Sequence, residues 1–417
     1  MHGRDGPVDE ALELAYRTDR GRVLACLIGI VKDFDLAEDA LQDAFAAAAT
    51  TWPQNGIPVN PAGWLVTTAR RKVVDRLRRA AAAERRQRAW GELAIAWDAG
   101  EGTGPIADDR LRLIFTCCHP ALSSETQVAL SLRLLCGLTT SEVARAFLVT
   151  ESTMAARITR GKKKIATSHI PYRVPTVEEL PARVETVLSA IHLVFTTGHT
   201  APSGSDLVRR DLVDRALDLA RLLRTLLPDD AEAAGLLGLI ILTDARRQTR
   251  TSRDGAMLLL SEQDRTQWDH GAISEGAALV REALRTRPAG RFVLMAAIAT
   301  IHAEAPSWDE TSWDEIVALY DLLLIVWPSP VVALNRAVAI GIADGPKAGL
   351  EALSDLTSDG ALLGYNYLAS TRADFLRRLG RKDEARLAYE EALSQCENEV
   401  ERAFLVSRLR ELEVGAN

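Results

Sequence analysis

Hydrophobic positions recur along most of this chain at the three-to-four-residue spacing of amphipathic helices. Leu24, Leu27, Ile28 and Val31 form the first stripe. Ala40, Leu41, Ala44, Phe45 and Ala48 form the second and predict a helix from Ala37 to about Trp52, opened by a capping-box spacing at Asp35 and Glu38. A Pro-, Gly- and Asn-rich loop, Pro53 to Asn60, follows. Asn60-Pro61 then reads as an N-cap and an N1 proline, starting a helix with Ala62, Val66, Ala69, Val73 and Leu77 on its apolar side. Periodicity fails from about Ala89 to Asp109, where glycines alternate with Glu92, Asp98, Glu101, Asp108 and Asp109. It resumes at Leu111. Ser124 with Gln127, and Thr139 with Glu142, predict helices over about 125–136 and 140–147, and Thr150 can cap a last one over 151–166. Pro175 and Pro181 mark a second linker, after which helical pattern runs to the C-terminus.

The expected fold class is therefore all-α, with two small helical domains, 10–88 and 111–168, joined by an acidic flexible linker, 89–110, and followed by a helical domain, 175–417. Composition agrees: hydrophobic residues make up 47% of 417, enough for real cores, and the low aromatic content disfavours sheet. No window is apolar enough to span a membrane, the first 22 residues are too polar for a signal peptide, and five cysteines do not make a disulfide framework; a cytoplasmic protein with no membrane partner is expected.

The net charge of −7 argues weakly against general nucleic-acid affinity, but its distribution matters more. Ala62 to Arg88 carries nine Lys/Arg against two Asp/Glu. Thr150 to His169 is also basic, through Arg157, Arg160, Lys162, Lys163 and Lys164. Either cluster alone could be a solvated helix face; together they suggest two nucleic-acid contacts on an acidic scaffold. In the helix over 151–166, Met154, Ile158 and Ile165 face inward, which leaves Glu151, Ser152, Ala155, Ala156, Thr159 and Arg160 outward. Preceded by the helix containing Glu142-Val-Ala144, this has the pattern of a helix-turn-helix, whose second helix reads base edges with its N-terminal half. Arg157, Lys162, Lys163 and Lys164 would neutralise phosphates.

The stretch Leu132 to Ile165 resembles region 4 of bacterial sigma factors, departing at Leu148, where glycine is usual in the turn, and at Ala155, where a polar residue is common. Asp35 to Phe45, Trp52, and Pro61 to Arg79 follow in order the pattern of sigma region 2. The resemblance, over about residues 10–168, is to extracytoplasmic-function sigma factors of the sigma-70 family. It implies core RNA polymerase (its β′ clamp helices and β flap) and promoter DNA as partners. Asp39, Gln42 and Asp43 are implied on the clamp-docking face, and the helix over 151–166 at the minus-35 element. Trp64, Thr67, Thr68, Arg70, Arg71, Arg78 and Arg79 are implied at the minus-10 element. Asn55, in the loop Gln54 to Asn60, falls where the family holds a flipped base. Taken singly, Trp64 reads equally as a core residue. The linker's length, a reach of several tens of ångströms, suits contact with two promoter elements.

The C-terminal 235 or so residues look like the tetratricopeptide-like extension of one subgroup: Leu368 to Leu393 has small–aromatic–small spacing, Leu334 to Leu353 echoes it, and Gly345 lies 35 residues before Gly380. Helical hairpins without true repeats remain the other reading. A regulatory role and a protein or peptide partner are expected for this domain. No enzyme, cofactor or metal site is expected: Cys117-Cys118-His119 lacks paired ligand spacing and reads as a buried helix end, and Ser261 to Asp269 reads as capping and salt bridging. His192, His199, His270 and His302 are scattered, and Ser203 and Ser205 lack a nucleophile elbow. The alternative function is a one-component helix-turn-helix regulator with a ligand- or protein-sensing C-terminal domain.

Overall fold

The computed structural model describes residues 6–84, 106–147, 149–176, 178–285, 288–354, 356 and 362–414, with 7, 17, 77–84, 106–108, 146, 181, 182 and 414 as backbone only. The fold is all-α; the only strands among the described residues are two-residue segments, Ser203–Gly204 and Glu397–Asn398, paired in parallel. Chain contacts divide it into two compact units, Met1–Val194 and Phe195–Asn417.

The first unit begins with α1 (Gly6–Thr18), α2 (Arg20–Val31), α3 (Phe34–Asn55) and α4 (Pro61–Glu84). The alanines at 37, 40, 44 and 48 are fully buried on one face of α3. Their small side chains let α4 approach closely, with Leu65, Ala69 and Val73 completing the contact. The helix expected from Ala37 starts three residues earlier, because Asp33, not Asp35, is its cap: its carboxylate accepts from Leu36 N at 2.9 Å. Asn60 caps α4 as the sequence indicates, accepting from Gly63 N at 3.0 Å.

The expected linker, including Asp98 and Glu101, lies mostly outside the described residues, but α5 (Ile106–Cys117) takes its last five positions into a helix. Then come α6 (Ser124–Leu130), a π-helical turn (Ser131–Leu135), α7 (Thr140–Ala146) and α8 (Glu151–Thr167). Cys117 and Cys118 are indeed a buried helix end, and burial pushes the Cys118 thiol up to about 12, so neither is a reactive thiolate. The capping box forms at α7: Thr139 accepts from Glu142 N at 3.2 Å and donates its own N–H to Glu142 at 2.7 Å. Ser124 and Gln127 make no such box; Gln127 turns inward and donates to the carbonyls of His119 and Leu122.

The two helical sets do not stand apart. α2 packs on α5 and on the π-turn, and the four helices of the first set share one unit with the helix-turn-helix. Tyr172 pins this packing by donating its hydroxyl to Ala25 O at 2.6 Å.

The boundary between units falls inside α9 (Pro181–His199) rather than at the proline-marked linker near 175. The second unit continues with α10 (Arg210–Leu226), α11 (Ala231–Asp244), α12 (His270–Ala283), α13 (Arg291–Glu304), α14 (Trp313–Val326), α15 (Pro330–Ala343), α16 (Pro346–Ala352), α17 (Asn366–Arg378), α18 (Lys382–Gln395) and α19 (Glu399–Val414). Sequence neighbours pack on one another, and α11 packs as extensively on α13, two helices further on. The pairs α15/α16 and α17/α18 each turn at a glycine of positive φ, Gly345 (97°) and Gly380 (74°). Phe375 of α17 is fully seated between α15 and α16, against Gly341 and Gly349; a β carbon at Gly349 would lie 2.6 Å from its ring. Asp264 and Asp269 cap the segments that follow them, as the sequence indicates.

Candidate nucleic-acid and polymerase interface

In the helix-turn-helix, Met154, Ile158 and Ile165 of α8 are buried as their spacing requires. Gly161 is buried with them, and a β carbon there would lie 2.6 Å from Thr126, so glycine permits the close crossing of α8 over α6. Thr150 caps α8, accepting from Thr153 N at 3.3 Å. The opposite face is open: Glu151, Ser152, Ala155, Ala156, Thr159, Arg160, Lys163 and Lys164 are exposed. Arg157 is half-buried, its guanidinium 5.5 Å from the centre of the Phe147 ring. Leu148 in the turn lies outside the described residues.

Lys162 points the other way. Its ammonium sits between Glu38 and Asp35 of α3, 2.9 Å from Asp35 and closer still to Glu38. Glu38 also faces Arg133 of the π-turn at 3.1 Å and Arg20 of α2 at 3.6 Å. Three cations thus converge on one carboxylate that is only 15% exposed, and Arg20 further donates to Arg133 O at 3.2 Å. Sequence spacing assigned Glu38 to a cap and Lys162 to a phosphate; packing pairs them with each other.

On α4, Trp64, Thr67, Thr68 and Arg71 fall on one side, with Thr67 and Arg71 exposed and Arg70 half-buried. Trp64 is half-buried, edge-on to the buried Trp52 with ring centres 5.7 Å apart, so it is anchored in the core yet keeps surface available. The side chains of Arg78 and Arg79 are outside the described set. Asn55 is exposed at the end of α3, before Gly56 at φ 84°. The loop beyond carries Ile57 at 42% and Val59 at 106% exposure, apolar groups with no core to join. Only their presence in a polar loop hinted at this.

Asp39, Gln42 and Asp43 share the open face of α3. Arg76 of α4 bridges the two carboxylates, 2.7 Å from Asp39 and 2.8 Å from Asp43. The hydrogen bond it donates to Asp39, with that to Asp43, holds the Arg76 guanidinium above its ordinary pKa. In the sequence Arg76 belongs to the basic run and to the region-2 pattern, and neither assigns it these partners.

Family comparisons match this geometry. Residues 15–83 match Sigma-70 region 2 and residues 112–165 match Sigma-70 region 4. Residues 183–284 match a family of unknown function, DUF6596. The chain is 27% identical over 158 residues to the ECF RNA polymerase sigma factor SigK of Mycobacterium sp. (strain KMS), covering 36% of this chain and 79% of that protein. It is 26% identical over 156 residues to SigK of Mycolicibacterium vanbaalenii, with 78% of that protein covered. The class so defined is an ECF-type sigma factor. Within it, the chain belongs to the family of the uncharacterized protein R00370 of Rhizobium meliloti, with 37% identity over 410 residues and 96% of each chain covered. No helix among the described residues is long and apolar enough to cross a membrane.

Proposed function

We propose that this protein binds core RNA polymerase and directs it to promoters through two elements, with its C-terminal unit regulating that activity. The observation that carries the reading is the pair of exposed faces on α8 and α4, held on separate helices of the unit that matches sigma regions 4 and 2. The N-terminal half of α8, Glu151 to Arg160, meets the minus-35 element in the major groove, and Lys163 holds phosphates. Trp64, Thr67, Thr68, Arg70, Arg71, Arg78 and Arg79 line the minus-10 strand. The loop with Asn55, Ile57 and Val59 receives the extruded base, apolar side chains serving as its stacking walls.

Asp39, Gln42 and Asp43 dock the β′ clamp helices. Arg76 holds the two carboxylates in place until a cation of the partner replaces it. The region-4 set contacts the β flap. Bridging both promoter elements requires Lys162 to exchange Glu38 for a phosphate, so the compact first unit opens on the promoter complex. In the second unit, the α15/α16 and α17/α18 pairs with glycine turns 35 residues apart support a tetratricopeptide-like arrangement.

The test is run-off transcription with purified core polymerase and the full-length chain, alongside co-purification with core. Promoter-dependent transcripts support the reading. A chain that binds duplex DNA by itself and ignores core polymerase is instead a one-component regulator.

A further inference from the structure

The second unit encloses a cavity of about 590 Å³ among α14, α15, α17 and α19, within the size range of small-molecule sites. Its walls are largely aromatic and aliphatic: Trp308 and Trp313 pack at 4.7 Å between ring centres, and Tyr320 and Phe404 face the same space. Two carboxylates reach it, and both are already engaged. Asp374 takes Arg377 at 2.6 Å, and Glu401 accepts the Tyr367 hydroxyl.

Of the lining cations, Arg377 takes Asp374, and Arg408 takes Glu411 at 2.9 Å and Glu262 at 3.6 Å; Arg378 is left over. Arg378 stands exposed on the cavity lining, with no hydrogen bond or ion pair to any described residue. Behind the His302 wall lie Arg246 and Arg265. Arg265 donates to the carbonyls of His302 at 2.8 Å and Ala305 at 2.6 Å, a neutral helix end, while Arg250, on the His199 carbonyl, faces the carboxylates of Glu401 and Asp244. Arg246 has no acid partner among the described residues. Burial, then Arg250 and Arg265, lower its pKa to about 10. Burial, then Arg246 and Arg265, hold the His302 imidazole neutral with a pKa of about 4. The buried Nδ1 of His302 has no hydrogen-bond partner. A half-buried cation without a counter-charge is costly, and two like charges behind one wall create a field that favours a negative guest. The aromatic lining selects for an apolar body.

We propose that this cavity binds a small amphipathic anion: an apolar or aromatic body carrying one carboxylate or phosphate-like head, with Arg378 at the mouth pairing the head group. The proposal is independent of the promoter reading, and its test contains neither polymerase nor DNA.

The probe is 1-anilinonaphthalene-8-sulfonate, titrated into the full-length chain beside its uncharged relative N-phenyl-1-naphthylamine. One saturable site per chain is expected for the sulfonate, with the neutral compound at least about tenfold weaker. Arg378→Gln, on an exposed side chain, should weaken the sulfonate about tenfold and leave the neutral probe unchanged. Ser370→Trp should fill the cavity and abolish binding, whereas Ile325→Glu, on a separate exposed apolar surface, should not. Octanoate and octyl phosphate should displace the probe where octanol does not, and the stronger of the two assigns the head group. Equal affinity for both probes, sulfonate binding indifferent to Arg378→Gln, or displacement by octanol as strong as by the two anions overturns the proposal.

Discussion

Gly21 offers a test of whether the first unit is closed in solution. It lies in α2, where a β carbon would be driven onto the carbonyl oxygen of Leu135 in the π-turn, well inside the distance real β carbons keep. The obstacle is backbone and cannot rotate away. In a free helix Gly→Ala gains about 1 kcal/mol of helix propensity. Forcing a methyl group into a packed contact costs about 1–3 kcal/mol, and an unyielding backbone oxygen puts this site at the upper end. Gly21→Ala should therefore destabilise the packing by about 1–2 kcal/mol net. Native-state hydrogen exchange on the full-length chain reads it directly. Amides of α2 and of Ser131–Leu135 should both exchange about five- to thirtyfold faster. Gly6→Ala, with nothing within 4 Å of the added carbon, serves as the control and should not accelerate either segment. If Gly21→Ala slows exchange in α2 and leaves the π-turn unchanged, α2 is behaving as a free helix. The closed arrangement, and the partner exchange at Lys162 built on it, would then be wrong.

Glu38→Gln removes the carboxylate shared by Arg20, Arg133 and Lys162 and leaves Lys162 only the exposed Asp35. A loss of about 2 kcal/mol is expected in denaturant titrations, below the value for a fully buried pair because the site keeps some solvent; no shift in midpoint would show that the three cations find water instead. Arg76→Ala should change stability by less than about 1 kcal/mol, its partners being well exposed, yet raise affinity for core polymerase by freeing Asp39 and Asp43; unchanged or weaker binding would place the docking face elsewhere. Thr139→Ala removes one half of the capping box at α7 and should cost about 1 kcal/mol by thermal melting, while Thr140→Ala, one residue on, should not. His302 has its folded-state pKa depressed, so its contribution to stability is complete above its ordinary value of 6.5 and is lost as pH falls toward about 4. His302→Gln should flatten the acid limb of the stability profile in that window, and a profile identical to that of the unmutated chain would contradict a buried neutral imidazole.

Local chemistry made much of this molecule readable from its residues. The apolar stripes of α2, α3, α4 and α8, the Asn60-Pro61 and Thr150 starts, and the Thr139–Glu142 box each depend on neighbours within four positions, and they formed, with Val31, Phe45 and Val66 half-buried at the stripe edges and the side chain of Leu77 outside the described set. The outward residues of α8 followed for the same reason, because burying Met154, Ile158 and Ile165 leaves the other face no choice. Short-range reading failed where two caps competed. Asp33 and Asp35 are both acidic, and the one whose backbone was extended, with φ −134° and ψ 121°, took the Leu36 N–H.

What the tertiary structure alone decided is which charge meets which. Glu38 and Lys162 are separated by 124 positions, Arg76 and Asp43 by 33, and no periodicity links such pairs. Nor could periodicity show that α2 would lie across the π-turn, since Gly21 reads locally only as a weak helix residue. Helix formation is settled by local hydrogen bonds and side-chain spacing, which the chain carries in its order. Ion pairing, cavity lining and the desolvation of Arg246 depend on how helices are brought together, a collective result of packing that exists only once the chain has folded.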